Sequence, residues 1–144
     1  MEFAYPVDLT PQDDGSVVVT FPDVRGAVTD GETKAEALFE AADCLIAALG
    51  GYIELGRDIP APSRPARGQR VVAVPPLVAA KLAVYQAMRG AGLTRVALGK
   101  RIGVSEGAVR RLLDLDHRSH IGQVETALAA LGKRLVVEVR DAAA

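Results

Sequence analysis

Between Leu93 and Leu113 two glycines, Gly99 and Gly103, stand four residues apart in a run whose apolar positions are Leu98, Ile102, Val104, Val109 and Leu112. Few folds accept that register. A helix ending at Gly103 meets a residue that takes positive φ at little cost. A second helix then starts behind Ser105, whose hydroxyl can cap it. Gly99 falls where the second helix must pass close, and the five apolar positions turn inward together. The stretch reads as a helix-turn-helix, with Glu106, Gly107, Arg110 and Arg111 left on the outside.

A chain of 144 residues holds one ordinary domain or two small ones, and 49% apolar with 24% charged residues describes a globular protein. No apolar run reaches the length of a membrane span, and an N-terminus with Glu2, Pro6 and Asp8 lacks the basic and apolar regions of a signal peptide. A cytoplasmic protein with no membrane partner is expected. Cys44, the one cysteine, excludes an internal disulfide and a thiolate metal site, and is expected to be a small buried residue. The net charge of −1 hides an asymmetry: residues 1–60 hold three basic residues against twelve acidic, the remainder fourteen basic against six acidic. A polyanion suits the second half as a partner, and something basic suits the first.

Taken in order, residues 3–9 alternate as a half-buried strand, with Pro6 at an edge or end, and Pro11 to Gly15 forms a turn. Val17–Phe21 is a second strand and Ala27–Thr29 a short third. Thr33-Lys34-Ala35-Glu36 is a capping box, so a helix starts here, and it is expected to stop at Gly50-Gly51. Leu38, Leu45 and Leu49, with Phe39 and Ile46, are expected to form the stripe that packs on the sheet, beside a small-residue seam of Ala37, Ala41, Cys44 and Ala48. A proline-rich loop over 60–69 leads to a fourth strand at Arg70–Val74, completing β-β-β-α-β before Pro75-Pro76.

The domain boundary is placed there, giving units 1–74 and 75–144. Val78, Leu82, Tyr85 and Met88 mark a helix in the second unit, and Ile121, Val124, Leu128 and Leu131 another, closed by Gly132. Leu135–Arg140 reads as a terminal strand with no neighbour in its half. Pairing with the same strand of a second copy, through Leu135, Val137 and Val139, would cover that edge and make a homodimer or higher oligomer. The fold class is therefore α+β, with an all-α second unit carrying a terminal strand.

Enzymatic chemistry finds little support. Asp13-Asp14-Gly15 and Asp30-Gly31 are turn dipeptides, and nothing makes the N-terminal carboxylates converge on a metal. His117 and His120 beside Asp114 and Asp116 lack a cysteine or third histidine, and there is no phosphate loop or nucleophile elbow. No catalytic residue, metal or cofactor is expected. Double-stranded DNA fits the basic half better. Arg110 and Arg111 have the geometry to read guanine edges, Ser105 and Glu106 can reach a neighbouring base, and Gly107 leaves room in the groove. Thr94, Arg95, Lys100, Arg101 and Arg118 are the candidates for phosphates.

Two N-terminal segments, Gly15-Ser16-Val17-Val18-Val19-Thr20-Phe21-Pro22-Asp23 and Thr29-Asp30-Gly31-Glu32-Thr33-Lys34-Ala35-Glu36-Ala37-Leu38, resemble the HicB antitoxins of type II toxin-antitoxin systems. Lys81-Leu82-Ala83-Val84-Tyr85 and Val124–Lys133 resemble the members with a C-terminal helix-turn-helix, so the likeness spans nearly the whole chain. It implies a truncated RNase-H-like N-terminal fold without nuclease activity that covers a small basic ribonuclease toxin, HicA. It places Asp23, Arg25, Asp30 and Glu32 as toxin-binding candidates. Arg25-Gly26-Ala27 departs from the usual Pro-Gly-Cys, and Asp30 from a glutamine or small residue. The resulting expectation is an antitoxin that neutralises its toxin and represses its own operon at an operator. A transcriptional regulator with a ligand-sensing N-terminal domain is the rival, and an active nuclease the third reading.

Overall fold

β1 (Ala4–Pro11) is the strand on which the N-terminal half is assembled, and its two ends serve different neighbours. Leu9 faces Val19 of β2 (Val17–Thr20), while Tyr5 faces Val72 of β4 (Arg70–Ala73). β3 (Val28–Gly31) flanks β2 on its far side, so the order is β3-β2-β1-β4 with every pair antiparallel. The structure, a computed structural model, describes residues 2–142.

α1 (Lys34–Glu54) covers one face of this sheet. Thr33 Oγ1 accepts from the Glu36 amide at 3.1 Å, as the capping box requires, but the Glu36 carboxylate accepts from the Glu32 amide at 3.3 Å, before the cap residue. Two expectations for α1 are corrected. The helix runs through Gly50-Gly51 to Glu54, because glycine costs a helix only about 1 kcal/mol and the extra turn buries Ile53. The large and small apolar residues also do not form separate seams: the buried stripe is Ala37, Ala41, Leu45, Leu49 and Ile53, and Phe39 is 77% exposed.

The small residues fall where β3 comes closest. A Cβ on Gly31 would stand 2.8 Å from Ala37 Cα, so the missing side chain is what lets the first turns of α1 lie directly on the strand. Tyr5 is fully buried beneath the helix layer, and its hydroxyl donates to the Pro60 carbonyl at 2.8 Å. Burial, reinforced by Asp23, pushes its phenol up to about 12.

The second half is helical: α2 (Pro76–Gly90), α3 (Arg95–Ile102), α4 (Glu106–Leu113) and α5 (Ile121–Ala130). Pro76 is the first residue of α2, where its missing amide costs nothing. α2 packs on α4 and α5, and α5 on α3. The C-terminal part of α2 also reaches the segment that follows α1. Tyr85 donates its hydroxyl to the Arg57 carbonyl at 2.8 Å, and Arg89 pairs with Asp58 at 2.9 Å while standing over the Tyr85 ring. One apolar core is continuous across both halves.

The strand expected over Leu135–Arg140 is not formed: these residues lie in no helix or sheet of the chain. A strand needs a partner for its backbone; among the described residues this half offers no neighbouring strand, and the partner expected for this one is a second copy of the chain. Arg140 instead pairs with Glu138 at 2.9 Å and approaches Glu2 at 3.5 Å.

Candidate nucleic-acid interface

The surface around α4 is built by two side-chain caps and one left-handed glycine. Thr94 Oγ1 accepts from the Ala97 amide at 3.1 Å and starts α3. Gly103, at φ 74°, ends it in the left-handed conformation that glycine takes readily. Ser105 Oγ then accepts from the Ala108 amide at 3.1 Å and starts α4. Val104 donates its amide to Gly99 at 2.9 Å, and a Cβ on Gly99 would stand 2.7 Å from the Val104 carbonyl oxygen. The close neighbour of Gly99 is therefore the backbone of the turn itself. Leu98, Val109 and Leu112 are buried, Ile102 is half-buried, and Val104, expected inside, is exposed because its carbonyl occupies the inward place.

Along α4 the outward side chains divide. Arg110 pairs with Glu106 at 3.1 Å across one turn, an exposed contact that holds both side chains but adds little stability. Arg111 leans over Gly107, its guanidinium 3.7 Å from where a Cβ would stand, and an alanine there would meet only ordinary contacts. Arg111 also lines a cleft of about 300 Å³ with Arg118, His117, Ser119 and His120, between α4 and the start of α5. Of the other cationic candidates, Lys100 is exposed on α3 and Arg95 is half-buried at its start. Arg101 is exposed and donates to the Ala130 carbonyl at 3.5 Å. Arg111 and Arg118 are brought together at the cleft, whereas Arg110 sits with Glu106.

Two supporting residues escaped the sequence reading. Lys81 is fully buried on α2, and its ammonium donates to the carbonyls of Arg111 at 2.9 Å and Asp114 at 2.6 Å. It satisfies the last turn of α4, whose carbonyls have no partner within the helix. Burial pushes this lysine below its ordinary range, and the nearby Asp114 and Asp116 oppose the shift. Its signal lay in the spacing: Lys81 stands between Val78 and Tyr85 on the apolar side of α2. Ser119, also buried, lies 3.1 Å from His117 Nδ1 and 3.5 Å from the Arg111 carbonyl.

The four N-terminal candidates differ in their settings. Asp23 is engaged within the chain, accepting from the Ser63 amide at 2.7 Å and hydroxyl at 2.9 Å, and so pins the proline-rich loop. Arg25, Asp30 and Glu32 are exposed, and the Arg25 carbonyl accepts from the Tyr52 hydroxyl. Cys44 is half-buried on α1, less enclosed than expected, and burial pushes its thiol up. Of the tail residues, Leu135 packs on the core, while Val137 and Val139 are 76% and 91% exposed. Among the described residues no helix is long and apolar enough to cross a membrane, and no three His, Cys, Asp or Glu side chains gather as a metal site.

Residues 4–83 match the family model described as the HicB-like antitoxin of bacterial toxin-antitoxin systems. The chain is 39% identical over 135 residues to "Antitoxin HicB 1" of Photorhabdus laumondii, covering 94% of this chain and 86% of the relative. It is 39% identical over 131 residues to "Antitoxin HicB" of Escherichia coli K12, covering 91% and 95%. A third similar protein, "Antitoxin HicB" of Pseudomonas fluorescens, is 33% identical over 142 residues, covering 98% and 95%.

Proposed function

The chain belongs to the HicB-like antitoxins of bacterial toxin-antitoxin systems, and from that premise we propose that it neutralises a small HicA-type ribonuclease toxin and represses its own operon. In this reading residues 1–74 hold the toxin and residues 75–144 hold operator DNA, both by binding alone and both in the cytoplasm. α3 and α4 form a helix-turn-helix with α4 as the recognition helix.

The observation that carries the DNA half is the exposure of Arg110 and Arg111 on a short helix whose other side, Val109, Leu112 and Leu113, is buried. A helix so anchored can enter a major groove without loss of core. Arg110 and Arg111 would read bases, with Ser105, Glu106 and Gly107 against the same groove. Thr94, Arg95, Lys100, Arg101 and Arg118 would hold phosphates. Two copies joined through Leu135, Val137 and Val139 would match a palindromic site, since pairing covers valines that the single chain leaves in water.

Co-expression with the product of the adjacent small gene tests the first half: the two should purify together and growth should be restored. Footprinting on the promoter tests the second. Arg110→Ala and Arg111→Ala should each weaken operator binding by roughly 1–3 kcal/mol and relax preference at one base position. Footprints unchanged in both variants would overturn α4 as the reading helix, and a toxic neighbour that neither binds nor is silenced would overturn the antitoxin role.

A further inference from the structure

The chain has three phenylalanines, and they are not treated alike. Phe3 and Phe21 are 6% and 3% exposed in the core, whereas Phe39 is 77% exposed on α1. Its surroundings on the helix are specific. Ala42 and Ile46, half-buried at the following helical spacings, extend an apolar ridge from Phe39. Glu36, Glu40 and Asp43, all exposed, border it, and Lys34 is the one basic residue of α1. Among the described residues the main packing partners of α1 are the strands β2, β3 and β4, which leaves this side outward.

An aromatic side chain set in water beside half-buried apolar neighbours and a charged border has the anatomy of an interface centre with a polar rim. The sign of the border selects the occupant. A second copy laid on the same face would set Glu36, Glu40 and Asp43 against carboxylates, which disfavours self-association. A basic protein surface with an apolar recess would be complementary in both respects.

We propose that the outer face of α1, with Phe39 as its anchor and Glu36, Glu40 and Asp43 as its rim, is the surface on which the basic toxin partner docks. This rests on the antitoxin reading above and adds the place of contact. The acidic balance of residues 1–60 supplies the attraction at long range, and Phe39 supplies the short-range term.

The test uses the full chain and its co-expressed toxin, separated and titrated back by calorimetry at two salt concentrations. Phe39→Ala should weaken binding about 30-fold with an unchanged melting temperature, because the side chain contributes little to the core. Glu40→Lys with Asp43→Lys should weaken it further at low salt than at high salt. Affinity within twofold of the parent in both variants would overturn the docking face while leaving the antitoxin reading intact. A parent chain that does not bind the toxin would overturn both. Loss of self-association in Phe39→Ala, with toxin affinity unchanged, would assign the face to a second copy and also overturn the proposal.

Discussion

The Lys81 ammonium and the Arg111 carbonyl are 2.9 Å apart, and through that bond the middle of α2 holds the last turn of α4. The same nitrogen also donates to Asp114, so one buried charge satisfies two carbonyls just where α4 passes into the next loop. Such an arrangement is tolerated only because the donors are used; an uncompensated buried ammonium would be strongly unfavourable.

Replacing Lys81 with methionine keeps an unbranched side chain one atom shorter and removes the donors. Both carbonyls then lose their shortest hydrogen bond, at about 1–2 kcal/mol each, partly offset by no longer burying an ammonium; the Arg111 oxygen keeps the Ser119 hydroxyl at 3.5 Å and the Asp114 oxygen keeps the His117 amide at 3.1 Å. Urea unfolding should show a net loss of roughly 1–3 kcal/mol. Amide exchange should quicken first at Leu113–Leu115, and uniform exchange along the chain would contradict the assigned role.

Gly99 and Gly107 should respond to alanine in opposite directions. At Gly99 the new methyl would press on the Val104 carbonyl at 2.7 Å, and displacing the turn should cost about 1–3 kcal/mol. At Gly107 the nearest atom is 3.7 Å away, so alanine should raise stability by about 0.5–1 kcal/mol through helix propensity. Thermal melts of the two variants settle the contrast. A stabilised Gly107→Ala protein with weakened operator binding would place that glycine against the groove.

Alkaline titration should expose Tyr5. Its phenol ionises near 10 in the unfolded chain and at about 12 in the folded one. The stability this represents is therefore complete below pH 10 and is lost as pH rises from 10 towards 12. Two pKa units correspond to roughly 2–3 kcal/mol. Tyr5→Phe should flatten that limb of the pH profile, although it also removes the bond to Pro60 and lowers stability at neutral pH.

Asp23→Ala should release the proline-rich loop by removing both bonds from Ser63, at a cost of about 1–2 kcal/mol. Limited proteolysis should then cut between residues 60 and 69 sooner than in the parent. Resistance equal to the parent's would mean that the prolines alone hold the loop.

Elements announced by local chemistry were legible in the sequence. Thr33 and Ser105 fix helix starts through their hydroxyls and Gly103 fixes a helix end through its backbone, and the structure has them there. The exposure of Arg110 and Arg111 followed from the helical period of their buried neighbours. What depended on other segments was not legible. α1 outlasts Gly50-Gly51 because Ile53 is buried in the core. The start of α1 lies on the bare backbone of Gly31, which brings Ala37 against the strand, and the buried stripe that continues from it leaves Phe39 outside. The burial of Lys81 is not legible because a lysine ordinarily marks a solvated face, and only the carbonyls of Arg111 and Asp114, some thirty residues on, reverse that expectation.

α2 grips both halves of the protein. Tyr85 and Arg89 clasp Arg57 and Asp58 beyond the end of α1, and Lys81, one to two turns away on the same helix, clasps α4. Arg89 and Lys81 are eight residues apart, about 12 Å along a helical axis. Mechanically this is a stiff rod carrying a load at each clamp, unlike two beads on a slack tether. One helix thus ties the segment beyond α1 to the last turn of α4 through contacts one to two helical turns apart.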